Sequence, residues 1–161
     1  MKRWWWLALA LGLALPAAAA DGGLAFQDGA GNEVVVRPRA GETLVLHFWA
    51  TWCPSCIDDL AYLEEAAADC RGVRVLAVNA GEDADAVAAF VRAHAVGLTV
   101  LRDPDGDVWR RLAGRGLPTN VYWSDAGQTS DLGGKTREQW ALRLAELGCA
   151  HDGGALPAAL R

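Results

Sequence analysis

The chain has 161 residues, 52% of them hydrophobic, which is enough apolar material for one globular core and too little for several. Its formal net charge of −5 excludes the basic footprint that nucleic acid or an anionic membrane surface selects, so neither is expected as a partner. No internal repeat is visible in it.

In chain order, Met1-Lys2-Arg3 is a short basic start, Trp4 to Leu15 a continuous apolar run, and Pro16 its break. Ala18-Ala19-Ala20 then offers small residues before Asp21. This is the anatomy of a secretory signal peptide over 1–20, cleaved near Ala20. The run is shorter than the ~20 apolar residues of a spanning helix, so no stable membrane anchor is expected. Losing Lys2 and Arg3 would leave the mature chain at −7. Export also means that disulfides can persist.

Leu24-Ala25-Phe26 and Val34-Val35-Val36 flank the turn-rich Asp28-Gly29-Ala30-Gly31-Asn32 and read as a β-hairpin. Thr43 to Trp49 is an almost unbroken apolar run, the pattern of a strand buried on both faces. Pro54 opens a helix reaching about Asp69, with Ile57, Leu60, Ala61 and Leu63 on one face. Val73 to Val78 is a second buried strand, and Glu82 to Ala95 a second helix with acids in its first turn. A short strand over Leu98–Leu101, a turn at Asp103–Gly106 and a brief helix over Val108–Ala113 follow. Val121-Tyr122-Trp123 and Gln128 to Leu132 form a second hairpin about Ser124–Gly127. Thr136 caps a last helix through Leu147, stopped by Gly148, and 151–161 reads as a flexible tail. Alternating strands and helices with a closing hairpin imply one α/β domain, a mixed sheet covered on both faces.

The chemistry concentrates in Phe48-Trp49-Ala50-Thr51-Trp52-Cys53-Pro54-Ser55-Cys56, which joins a buried strand to a helix. A thiol at a helix start sits among unpaired N–H groups and the positive end of the dipole, which favours the attacking thiolate. Cys56 lies one turn further in, within reach of ring closure, so the pair reads as a dithiol switch. A zinc site would need a second spaced Cys/His pair, and Cys70, Cys149 and the three histidines supply none. Haem attachment would need His at position 57, which is Ile. Neither a metal nor another bound cofactor is expected.

The segment F-W-A-T-W-C-P-S-C resembles the active site of thioredoxin-fold proteins, specifically the exported TlpA/ResA-like branch with its CcmG-type cytochrome c maturation reductases. Phe26-Gln27-Asp28 to Gly31 matches that family's opening hairpin, and Val78-Asn79 with Glu82 its central strand-helix insertion. Leu101-Arg102-Asp103 to Gly106, Gly116-Leu117-Pro118-Thr119 and Asp125-x-Gly127 match later motifs, so the resemblance covers roughly 24–148. It implies a thioredoxin-like domain over 21–150 in the periplasm, acting on substrate proteins with disulfides or thiols and recycled by a membrane electron donor. It further implies Cys53 as the exposed attacking cysteine, Cys56 as the buried resolving one and Pro118 as a cis-proline. Trp52 would pack beside Cys53 and limit solvent access; a core aromatic is its plainer reading.

The sequence departs from the family at two points. Ser55, not proline, precedes the second cysteine, and the intervening dipeptide helps set the redox poise. His47 stands where thioredoxins carry a buried acid; as a neutral imidazole it would accept the proton of the resolving thiol, or simply be a satisfied core residue. Asp59 matches a family acid on the active-site helix, with surface solvation as its plain reading, and His94 and His151 read as surface residues. In the thioredoxin-like arrangement the helices ending near Cys70 and Cys149 cover one sheet face, which makes a structural Cys70–Cys149 disulfide the expectation. The reaction expected is thiol–disulfide exchange, in the reducing direction. The competing reading is a copper- or haem-handling chaperone that uses the dithiol as ligand or to keep partner cysteines reduced; Met1 as the only methionine does not support a ligand role.

Overall fold

The computed structural model describes residues 22–112 and 114–151. Its elements are β1 (Leu24–Gln27), β2 (Glu33–Val36), β3 (Thr43–Trp49), α1 (Pro54–Ala67), β4 (Cys70–Arg71), β5 (Val73–Ala80), α2 (Ala84–Ala93), β6 (Thr99–Asp103), α3 (Asp107–Leu112), β7 (Thr119–Ser124), β8 (Gly127–Leu132), α4 (Arg137–Glu146) and β9 (Ala150–His151). The large sheet runs β2-β1-β6-β5-β3-β7-β8. β3 lies parallel to β5, which lies parallel to β6, while β7 pairs with β3 antiparallel. This is the thioredoxin-like mixed sheet, with the N-terminal hairpin at one edge, where Gln27 pairs with Arg102.

β3 sits inside the sheet because its apolar run can be covered on both faces. Leu44, Leu46 and Phe48 join Leu76, Val78, Leu101 and Val121 on one face, under the hairpin and Val108 of α3. Val45 joins Val75, Tyr122 and the inward residues Leu63, Trp140 and Leu144 of α1 and α4 on the other. Trp49 and Ala77 continue that second face into a cluster with Leu60 of α1 and Val87 of α2, where Trp49 packs on Phe90 with centroids 5.2 Å apart. Helices therefore flank both faces, and the C-terminal end of β3 delivers the chain directly to α1.

The sequence misjudged two boundaries. The second helix starts at Ala84 with Asp83 as its cap, leaving Glu82 in the preceding loop. The tail does not begin at position 151: Cys70 pairs with His151 and Arg71 with Ala150 in a two-stranded ladder. Two residues per strand carry no readable periodicity, so only the meeting of the α1 and α4 ends creates it. The expected signal peptide (1–20), the tail at 152–161 and Ala113 lie outside the described residues.

Candidate active site

Cys53 is the N-cap of α1, and Pro54 occupies its first turn. The extended backbone at Cys53 turns its Sγ over the helix end, where it accepts the Cys56 N–H at 3.3 Å. The Cys53 carbonyl accepts the N–H groups of Cys56 and Ile57 at 3.1 and 3.2 Å, starting the helix. No acid occupies the first turn, so nothing there offsets the positive end of the dipole. Cys53 and Cys56 are joined as a disulfide, with Cα atoms 5.3 Å apart.

Accessibility corrects one expectation. Cys53 is only 5% exposed and Cys56 is fully buried. Both belong to the cluster of Trp49, Leu60 and Val87, against which Leu117 packs. The bonded Cys53 sulfur is covered by this packing, and of the two it remains the one with any exposure. Trp52 is corrected as well: it is 69% exposed, so it is not a core aromatic and stands in solvent beside the motif.

The Leu117–Pro118 peptide bond is cis. Its loop is held on three sides. The Pro118 carbonyl accepts the Gly133 N–H at 2.9 Å, and the Thr119 hydroxyl donates to the Gly116 carbonyl at 2.6 Å. The Trp109 indole N–H donates to that hydroxyl at 3.2 Å, tying in α3. Gly134 lets the next loop approach α1 closely, since a Cβ there would lie 3.1 Å from the Ser55 Cβ.

Beneath the disulfide lies a buried polar group. His47 on β3 is fully buried, and its Nδ1 lies 2.7 Å from Asn120 Oδ1 while its Nε2 has no hydrogen-bond partner. Burial lowers its pKa below the ordinary value; the Asn120 side chain, the Asp59 charge and the Cys56 backbone favour the protonated ring but do not overcome burial. Asp59 is corrected from a solvated residue to a fully buried one. It follows Cys56 by three positions and so shares the inward face with Leu60 and Leu63, a signal the 3.6-residue period offers directly. Its Oδ1 accepts the Lys135 backbone N–H and the Trp140 indole N–H, each at 2.9 Å, and its Oδ2 has no partner. Burial raises the Asp59 pKa against these two donors and the opposing charges of His47 and Lys135. The site thus holds two buried atoms able to accept a proton.

Glu82 is a residue whose place in the site sequence reasoning missed. Its carboxylate accepts the Thr51 N–H at 2.8 Å, the Thr51 hydroxyl at 2.6 Å and the Asn79 amide at 2.6 Å. The Asn79-x-x-Glu82 pairing at the end of a buried strand was the available signal. Cys70 and Cys149 form a second disulfide, with Cα atoms 5.3 Å apart. His151, expected at the surface, is half-buried with its ring nitrogens 3.7 and 3.8 Å from Cys149 Sγ, while His94 is exposed and stacks on Phe90.

A strand-to-helix dithiol facing a cis-proline loop is an arrangement with known counterparts. The model of the AhpC/TSA family matches residues 14–124. The chain belongs to that family. Among curated family relatives, the thiol-disulfide oxidoreductase ResA of Halalkalibacterium halodurans is 29% identical over 125 residues, covering 75% of this chain and 70% of that protein. ResA of Bacillus subtilis is 29% identical over 104 residues, covering 63% of this chain and 58% of that protein. Among solved structures, a secreted Mycobacterium tuberculosis disulfide oxidoreductase homologous to Escherichia coli DsbE superposes with a TM-score of 0.67 at 24% identity, covering 76% of this chain and 95% of that one. At that identity the superposition speaks for the fold.

Proposed function

We propose that this family member is a thiol–disulfide oxidoreductase that exchanges disulfides with partner proteins through Cys53 and Cys56. The observation that carries the proposal is the Cys53 sulfur at the N-cap of α1, accepting the Cys56 N–H and bonded to Cys56. A donor aimed at that sulfur, at the positive end of a helix, stabilises a thiolate there in the reduced form. The names of the ResA relatives support the same reaction.

In the reducing direction, Cys53 thiolate attacks one sulfur of a partner disulfide and expels the other as a thiolate. Cys56, once deprotonated, attacks the Cys53 sulfur of the mixed disulfide and releases the second partner thiolate. Two electrons have then passed to the partner, and the Cys53–Cys56 disulfide remains. We assign this direction, a periplasmic location after removal of 1–20 and recycling by a membrane electron donor on the TlpA/ResA-like resemblance. The secreted M. tuberculosis neighbour is in keeping with export. Among the described residues no helix is long and apolar enough to cross a membrane.

Equilibration of the purified protein with glutathione buffers tests the reading. A reductase should have a potential at or below roughly −230 mV, whereas a value near about −120 mV belongs to a strong oxidant and would reverse the direction. Failure of the Cys53–Cys56 pair to exchange with glutathione in either direction would remove the function altogether.

A further inference from the structure

His47 and Asn120 are directly opposed on adjacent antiparallel strands, β3 and β7, and both are fully buried. Which ring nitrogen of His47 carries the proton follows from which way the Asn120 amide points, and the surrounding groups decide that. Asn120 Nδ2 donates to Asp131 Oδ1 at 2.9 Å and approaches the Gly133 carbonyl at 3.4 Å. Both of those partners can only accept. Asp131 is an ionised acceptor: burial alone would raise its pKa, but donors from Lys135, Asn120 and Tyr122 hold it below the usual carboxylate range. The Lys135 ammonium donates to the same Oδ1 at 2.6 Å, and the Tyr122 hydroxyl to Oδ2 at 2.8 Å. A flipped amide would set its oxygen, an acceptor, against the acceptor Asp131 and lose the bond.

Asn120 therefore presents its oxygen to His47, and the 2.7 Å contact needs a proton on Nδ1. Neutral His47 is then the Nδ1–H tautomer, with an unpartnered lone pair on a completely buried Nε2. A buried acceptor without a donor is costly unless its emptiness is used.

Resting on the oxidoreductase reading, we propose that Asn120 is a positioning residue: it locks His47 as the Nδ1–H tautomer so that Nε2 receives the proton of the Cys56 thiol when the mixed disulfide is resolved. The step balances. The Cys56 S–H bond breaks and an Nε2–H bond forms, giving an imidazolium. The Cys56 thiolate then forms the bond to Cys53 as the bond from Cys53 to the partner breaks. The partner leaves as a thiolate, which the imidazolium proton neutralises directly or through solvent. Groups around the ring suit a transient cation: the Asp59 charge from α1 and the Cys56 backbone favour it, while Lys135, ahead of α4, opposes it. Trp140 closes the site edge-on to the imidazole at 6.1 Å, keeping the ring oriented.

The experiment is nitrogen NMR of the imidazole in uniformly labelled full-length protein, combined with rapid mixing of the reduced protein with oxidised glutathione. At neutral pH the wild type should show a protonated Nδ1 and a bare Nε2 on His47. Asn120→Leu should lose that tautomer preference and slow resolution of the glutathione mixed disulfide by about tenfold or more, within the range of a general-base contribution. Asn120→Gln, which keeps both an acceptor for the Nδ1–H and a donor for Asp131, should restore the tautomer preference and part of the rate. A wild-type His47 protonated on Nε2 overturns the proposal, whatever the variants do. So does resolution that depends on Asp59 but is unaffected by Asn120→Leu. Complete absence of exchange in the wild type would instead count against the oxidoreductase reading, leaving the tautomer still measurable.

Discussion

Glu82 holds Thr51 by both its backbone N–H, at 2.8 Å, and its hydroxyl, at 2.6 Å. Thr51 lies two residues before Cys53, and Asn79 anchors the same carboxylate to the end of β5 at 2.6 Å. The loop that aims the dithiol is thus fastened to the neighbouring strand. Glu82→Ala should cost about 1–3 kcal/mol of stability, because it strips partners from part-buried donors. It should also lower the rate of insulin reduction, with Glu82→Gln intermediate in both. Denaturant titration and initial rates check this, and an Ala variant matching the wild type in both would refute the coupling.

The two active-site cysteines should separate by role. Cys53→Ser should abolish exchange, while Cys56→Ser should accumulate a mixed disulfide through Cys53 that thiol treatment reverses. Brief alkylation of the reduced protein followed by mass spectrometry should find label on Cys53 first, since Cys56 is fully buried. Label appearing first on Cys56 would exchange the assignments.

We propose that the Cys70–Cys149 disulfide is structural. It spans 79 residues and clasps the ends of α1 and α4, so on the chain-entropy model it should contribute roughly 4 kcal/mol. The double variant Cys70→Ala/Cys149→Ala should melt well below the wild type yet still reduce insulin when folded. Thiol counting on unreduced, denatured protein should find no free cysteine; two free thiols would remove the assignment.

Asp59 should make the fold less stable as pH rises. Burial raises its folded pKa above the ordinary 3.8, so the native state holds its proton over a window in which the unfolded chain has lost it. More protons bound in the native state means that stability falls as pH climbs from about 3.8 through that window. Asp59→Asn keeps an acceptor for Lys135 and Trp140 without the charge. Its advantage over the wild type should be small near pH 4 and larger at pH 7, by thermal melting. His47 acts with the opposite sign: its lowered pKa means stability is lost as pH falls below about 6.5, and the loss is greater in Asp59→Asn, which lacks the charge that favours the protonated ring. An Asn variant less stable than wild type at every pH would show the carboxylate to be stabilising.

The strand, the turn, the helix and the dithiol were legible because each is written locally. The apolar run of β3 has the period of a doubly buried strand, Pro54 suits a helix start, and three-residue spacing brings Cys56 within reach of Cys53. The burial of Asp59 was also written there, in its shared face with Leu60 and Leu63. Asn120 was not: nothing near it distinguishes a core amide from a loop residue. Only the antiparallel register of β3 with β7 sets it against His47, and only β8 brings Asp131 to turn its amide. Likewise the contact of Glu82 with Thr51 joins residues 31 apart, and the ladder of Cys70 with His151 needs two helix ends to meet. By itself the sequence determined the elements and the redox chemistry, because periodicity, caps and reach act over a few residues. Only the tertiary structure decided the partner of His47 and the bracing of the dithiol loop, because those depend on which distant groups the strand register brings together.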